Sequence, residues 1–157
     1  MIKFQHKLNK ILEVALVILM SVLVVDVLWQ VTSRYILSSP SSFTDEMAGF
    51  LLIWVGVLGA AYVAGRKEHL AIDILIQRSS PARQRLLLYI IYVLILLFAL
   101  SVMVIGGVVL MYTRFALQVK SAALQLPLGY VYSVLPISGL IIMYYEVVHI
   151  LQLKRTK

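Results

Sequence analysis

Four stretches of this chain are almost unbroken in apolar side chains: Ile11 to Val31, Met47 to Ala64, Leu86 to Tyr112 and Leu128 to Leu153. A helix needs about 20 such residues to cross a bilayer, so each run predicts a transmembrane helix. At about 1.5 Å per residue the third is roughly 40 Å long and should tilt or protrude. The first run is too long for the core of a signal peptide, and "VTSRY" after it offers no small-x-small cleavage site. The polar segments between the runs carry their own patterns. "SSPSS", Ser38 to Ser42, is a breaker before the second helix, and Ser42 and Asp45 stand in capping-box spacing. In "RFALQVKSAALQL", Arg114, Gln118, Ser121 and Gln125 alternate at helical spacing with Phe115, Val119, Ala122 and Leu126. This predicts an amphipathic extension of the third helix or an interfacial helix, stopped by Pro127. "HLAIDILIQR", His69 to Arg78, predicts a second interfacial helix, ending at Ser79-Ser80-Pro81. Lys3, Lys7 and Lys10 share a face at a surface-lying start. Pro136 should kink the fourth helix by freeing the carbonyl of Tyr132.

Composition agrees with an all-α membrane protein of one domain. The 157 residues are 62% hydrophobic and 13% charged, with a mean hydropathy of +0.96. Soluble domains run near half apolar and a quarter charged. With no cysteine, disulfides and thiolate metal sites are excluded. The net charge of +7 would suggest nucleic acid in a soluble protein, but its placement explains it otherwise. With the N-terminus in the cytoplasm, eleven of the fourteen Lys and Arg fall in inside segments and three, Arg34, Arg114 and Lys120, in outside loops. That bias places both termini inside. The tyrosines fall near the inner and outer helix ends, as an interfacial aromatic belt does.

The second helix is the most informative. Asp45 and Glu46 sit at the positive end of its dipole, and Arg66 and Lys67 at the negative end. Gly49, Ile53, Gly56, Ala60 and Ala64 share one face. In lipid no hydrophobic force drives helices together, so close approach at such small-residue strips is a main source of association. The strip fits packing within the bundle or a groove for another protein's helix. Asp26 lies about two turns inside the outer end of the first helix, where a carboxylate costs roughly 2.5–3.5 kcal/mol to insert. It reads as a contact, a proton site, or a group hydrogen-bonded within the bundle, with Gln30 at i+4 as its local partner. Glu13, Glu146, His149 and Lys10 cluster near inner helix ends as interfacial ion pairs. His69 and Asp73, four apart, form an orienting pair; a metal would need a third ligand. His6 and His69 lie outside the spans, so a haem pair is unsupported.

"WQVTSRY" at Trp29 to Tyr35 and "FTDEMAGFLLIWVGVLGAAYVAGRKEHLAIDIL" at Phe43 to Leu75 resemble the small membrane subunit of tripartite ATP-independent periplasmic (TRAP) transporters, the DctQ family. The pattern comprises Arg34-Tyr35, the acids Asp45-Glu46, Trp54, Leu58-Gly59-Ala60-Ala61, Arg66, His69 and Asp73. The resemblance implies an inner-membrane scaffold without an active site or cofactor of its own. Its partners would be a large twelve-span elevator subunit, which holds sodium and an organic anion such as a C4-dicarboxylate or a sialic acid, a periplasmic binding protein, and membrane lipid. The rival reading is a self-sufficient four-span antiporter of the small multidrug type, with Glu13 as its proton-coupled acid.

Reporter fusions should place Lys157 in the cytoplasm and the Ser38–Ser42 segment outside. A periplasmic C-terminus would overturn the topology read from the basic residues.

Overall fold

The computed structural model describes residues 2–39, 41–66 and 81–155. It is 87% helical, with no strand among the described residues. Four helices are long and apolar enough to span a membrane. Helix α1 is Ile2–Tyr35 and α2 is Ser42–Arg66. Helix α3 joins Pro81–Phe98, a π-helical stretch Ala99–Gly106, and Gly107–Ala116. Helix α4 joins Leu128–Tyr132 to Val134–Arg155. Chain order is not spatial order. Helix α1 packs on α2, α2 on α4, and α4 on α3, so the fourth helix sits between the second and third. Half of the most apolar window of α4 is buried, against 11% in α1 and α3 and 17% in α2.

Small residues let the helices approach this central element. Ala61, Ala64 and Ala99 are buried together with Ile142. A Cβ on Gly139 would stand 2.8 Å from Met103 Cβ, and one on Gly107 would stand 2.9 Å from Pro136 Cδ. The π-helical stretch of α3 therefore lies directly against α4. At the end carrying the chain termini, a Cβ on Gly65 would stand 2.7 Å from the Tyr145 ring and 2.8 Å from Asn9 Oδ1. There the Tyr145 hydroxyl donates to Asn9 Oδ1, tying α4 to α1 beneath α2. Leu12, Leu58, Val134 and Tyr145 form one buried cluster shared by α1, α2 and α4.

Several local expectations are corrected. Residues 117–127 form no amphipathic helix. The chain leaves α3 at Ala116 and closes a hairpin-like loop, in which the amide of Ser121 donates to the Leu126 carbonyl (2.9 Å) and that of Leu128 to the Val119 carbonyl (3.0 Å). Gln118 and Gln125 adopt positive φ, 51° and 55°, which helix propagation does not allow. The lysine-bearing start is not a separate surface helix but runs unbroken into α1. Asp45 does not close a capping box with Ser42, because its carboxylate turns to α1. Pro136 has its expected effect one turn upstream, where α4 is interrupted at Ser133. The indole N–H of Trp54 donates to the Val131 carbonyl beside that break, at 3.1 Å, so a backbone group near the kink is satisfied by a side chain. The proposed interfacial helix His69 to Arg78 lies outside the described residues.

The small-residue strip of α2 divides. Ala64 is buried inside the chain, whereas Gly49, Gly56 and Ala60 are exposed, and a Cβ on Gly49 or Gly56 meets nothing within 4 Å. The isolated subunit should therefore tolerate Gly56→Ala with no loss of stability. Gly139→Ala should cost about 1–3 kcal/mol by overpacking the α3–α4 contact. Thermal unfolding in detergent checks the pair; equal effects would mean the two glycines share one environment.

Candidate functional site

The polar chemistry gathers at the end bearing the 36–41 and 117–127 connections. Glu46, in the first turns of α2, reaches the second connection. Its Oε1 accepts from the amide of Ala122 at 2.9 Å. Its Oε2 accepts from the amides of Ala123 (2.9 Å) and Leu124 (2.7 Å). Three successive backbone N–H groups turned toward one carboxylate make a concave anion nest, and the ionised acceptor strengthens each bond. Inside the loop, the amide of Leu126 donates to Ser121 Oγ at 3.2 Å, and Gln125 Nε2 to the Ala122 carbonyl at 3.0 Å. The loop is thus built around an acid 76 to 78 positions earlier in the chain.

The neighbouring Asp45 does the same for α1. Its carboxylate accepts from Gln30 Nε2, and from Arg34 at 3.3 Å. Arg34 and Asp45 form an ion pair whose side chains are 49% and 44% exposed. The two acids of the Asp45-Glu46 dipeptide, read from sequence as helix-end electrostatics, therefore point opposite ways and clamp α2 to both of its flanking segments.

Asp26 is not bonded to the partner expected for it; Gln30 donates to Asp45 instead. Asp26 is only 7% exposed, and its Oδ2 has no hydrogen-bond partner among the described residues. Trp54 lies in the core against α4. At the terminal end, Arg66 donates to the Tyr62 hydroxyl at 2.9 Å and lies over that ring at 5.6 Å. A cleft of about 530 Å³ there is lined by His6, Asn9, Lys10, Glu13, Tyr62 and Arg66. Glu13 is exposed in this cleft, whereas Glu146 and His149 are 0% and 2% exposed, with His149 against the Tyr92 ring at 5.4 Å. The expected inner-end cluster is thus split between a wet cleft and the protein interior. His69 and Asp73 lie outside the described residues. No group of three His, Cys, Asp or Glu suited to a metal occurs among the described residues.

Sequence reasoning passed over the loop amides that Glu46 holds, the Asn9–Tyr145 bond and the packing roles of Gly65, Gly107 and Gly139. The facing of Gly107 by Pro136 had one faint signal, since both mark irregular points in apolar runs. The Glu46 contact had none.

The profile of the family described as "Tripartite ATP-independent periplasmic transporters, DctQ component" matches residues 23–156. The chain is similar to a TRAP transporter small permease protein of Haemophilus influenzae, 29% identical over 85 residues, which cover 54% of this chain and 53% of that protein. It is also similar to the sialic acid TRAP transporter small permease protein SiaQ of Vibrio cholerae, 27% identical over 100 residues, covering 64% and 57%. The chain spans a little over half the length of the curated relatives it matches.

Replacing Glu46 with Ala should release the loop. Amide exchange at Ala122, Ala123 and Leu124 should accelerate by about tenfold or more, while amides in the middle of α4 keep their protection. Unchanged exchange at those three amides would show that the loop holds itself.

Proposed function

The chain belongs to the DctQ family of tripartite ATP-independent periplasmic transporter components, and on that premise we propose that it is the small permease subunit of such a transporter, acting as a scaffold. A member of this family is a transporter component and not an enzyme, and four apolar helices fit a multi-pass protein of the inner membrane. In this reading the loop end, with Arg34, Asp45, Glu46 and the 117–127 loop, faces the periplasm, and the terminal end with its basic residues faces the cytoplasm. The partners are a large membrane subunit that moves substrate and a soluble periplasmic protein that delivers it. Sodium and substrate bind on the large subunit, and no cofactor resides in this chain. The substrate class is an organic anion, a carboxylate; one relative carries sialic acid in its name.

One observation carries the scaffold part of this reading: the helices are laid side by side and leave most of their apolar surface bare. Three of the four spans bury less than a fifth of their most apolar windows. An anion crossing the membrane needs positive potential near the midplane, from Lys, Arg, bound cations or helix N-termini. Every Lys and Arg of this chain lies outside the four apolar runs. The carboxylates of Glu13, Asp26 and Glu146, when ionised, would repel an anion. The multidrug-type alternative needs Glu13 as a membrane-embedded proton carrier, but Glu13 stands exposed in the terminal cleft beside Lys10 and Arg66.

Reconstitution into proteoliposomes under a sodium gradient tests the scaffold. Carboxylate uptake should require this chain, the large subunit and the binding protein together. Sodium-driven uptake by this chain alone would overturn the proposal.

A further inference from the structure

Asp26 occupies the floor of a groove. An open depression of about 400 Å³ runs along the α1–α2 junction, lined by Ser21, Val22, Val25, Asp26, Trp29 and Met47. Its walls are bare: Val25 is 67% exposed, Trp29 55% and Val22 39%. Asp26 at its floor is 7% exposed. A second depression of about 280 Å³ shares Met47 and continues past Leu19, Phe50, Leu51 and Trp54 to Leu124. The two depressions meet at Met47 to form a trough, and Asp26 is the one acid among their lining residues.

A polar group withdrawn from water without a hydrogen bond is costly, and a carboxyl more so. Among the described residues no hydrogen bond to the buried Asp26 Oδ2 repays that cost. Gln30, one turn away on α1, donates to Asp45. Arg34 is paired with Asp45 as well. Ser21, which shares the groove, donates its hydroxyl proton to the Val17 carbonyl at 2.7 Å. Lipid chains could fill the trough, but hydrocarbon offers no donor. The occupant that satisfies both the shape and the acid is a helix carrying a donor at that depth. Polar side chains that meet across helices in this way act as specific glue within the bilayer.

We propose that the trough over Asp26 seats a transmembrane helix of the large membrane subunit, which brings a hydrogen-bond-donating side chain to the Asp26 carboxyl. The inference rests on the partner assigned under the proposed function. It selects this trough over the bare Gly49–Gly56–Ala60 strip of α2, because the strip presents no polar group that needs a partner.

Two measurements on the same variants test it. Asp26→Leu removes an unsatisfied polar group from the free subunit, so the isolated chain should melt at a higher temperature. In the complex the same change removes the acceptor, so the fraction of large subunit retained on co-purification should fall by about tenfold or more. Asp26→Asn keeps an acceptor oxygen and should retain more of the partner than Asp26→Leu. Because the chain has no cysteine, Val25→Cys and Gly56→Cys can each carry a single photo-crosslinker. Crosslinking to the large subunit from position 25, in parallel with the opposite-signed effects of Asp26→Leu, supports the proposal. It is overturned if Asp26→Leu lowers melting temperature and retention together, or leaves retention unchanged. It is equally overturned if position 25 captures only lipid or a second copy of this chain while position 56 captures the large subunit. Failure of the unmodified chain to co-purify with the large subunit would instead overturn the partner assignment itself.

Discussion

Close approach to α4 is the condition on which the rest of this molecule depends. Lipid is as apolar as a leucine side chain, so burying apolar surface between helices gains little over leaving it in the bilayer. What remains is contact at short range, and that needs small residues where backbones meet. Ala61 and Ala64 of α2, Ala99 of α3, and the glycines at 65, 107 and 139 supply it. The π-helical stretch of α3 fits the same condition, since it runs along α4 where Gly139 admits Met103 and Val104. Helix α1 meets the condition least. It packs on α2 and is tied across to α4 by the Asn9–Tyr145 bond.

With the middle of the membrane offering mainly dispersion contacts, directional bonding is concentrated at the helix ends. At the loop end a two-residue segment secures three pieces of chain. Asp45 holds α1 through Gln30 and Arg34, and Glu46 gathers the amides of the 117–127 loop. Because those residues precede α4, the loop's position also fixes where α4 enters the bundle. Trp54, bonded to the Val131 carbonyl below, sets the same entry from the side. The arrangement gives the loop end a defined shape although the helices beneath it are loosely covered.

The number and approximate extent of the helices were legible because a membrane-spanning run is a strong signal in itself. The DctQ resemblance was legible because Arg34-Tyr35, the acidic pair and Leu58-Gly59-Ala60-Ala61 are close together in sequence, and the family match extends across residues 23–156. Three kinds of feature were not legible. The 117–127 segment alternates polar and apolar residues at helical spacing, yet forms a loop, because an acid 76 to 78 positions away competes for its amides and two glutamines take left-handed backbone. Small residues, too, looked alike. A glycine at a contact within the chain and a glycine on its open face read the same, so the sequence did not separate Gly139 from Gly56. Asp26 was recognisable as unusual, but its isolation was not, since a glutamine at i+4 is a natural partner until the structure gives that glutamine to another acid.

The order in which the helices appear has a consequence for biogenesis. During synthesis α1 and α2 emerge as a hairpin that can pair at once. Helix α3 then enters the bilayer with its main contact surface waiting, because the element it leans on is the last of the four to be made. Until α4 inserts between α2 and α3, the alanines and glycines that define the interior have nothing to close upon. Assembly is therefore completed by intercalation rather than by stepwise addition at one edge. A chain that stops before residue 128 keeps the α1–α2 pair but lacks the element on which α2 and α3 close.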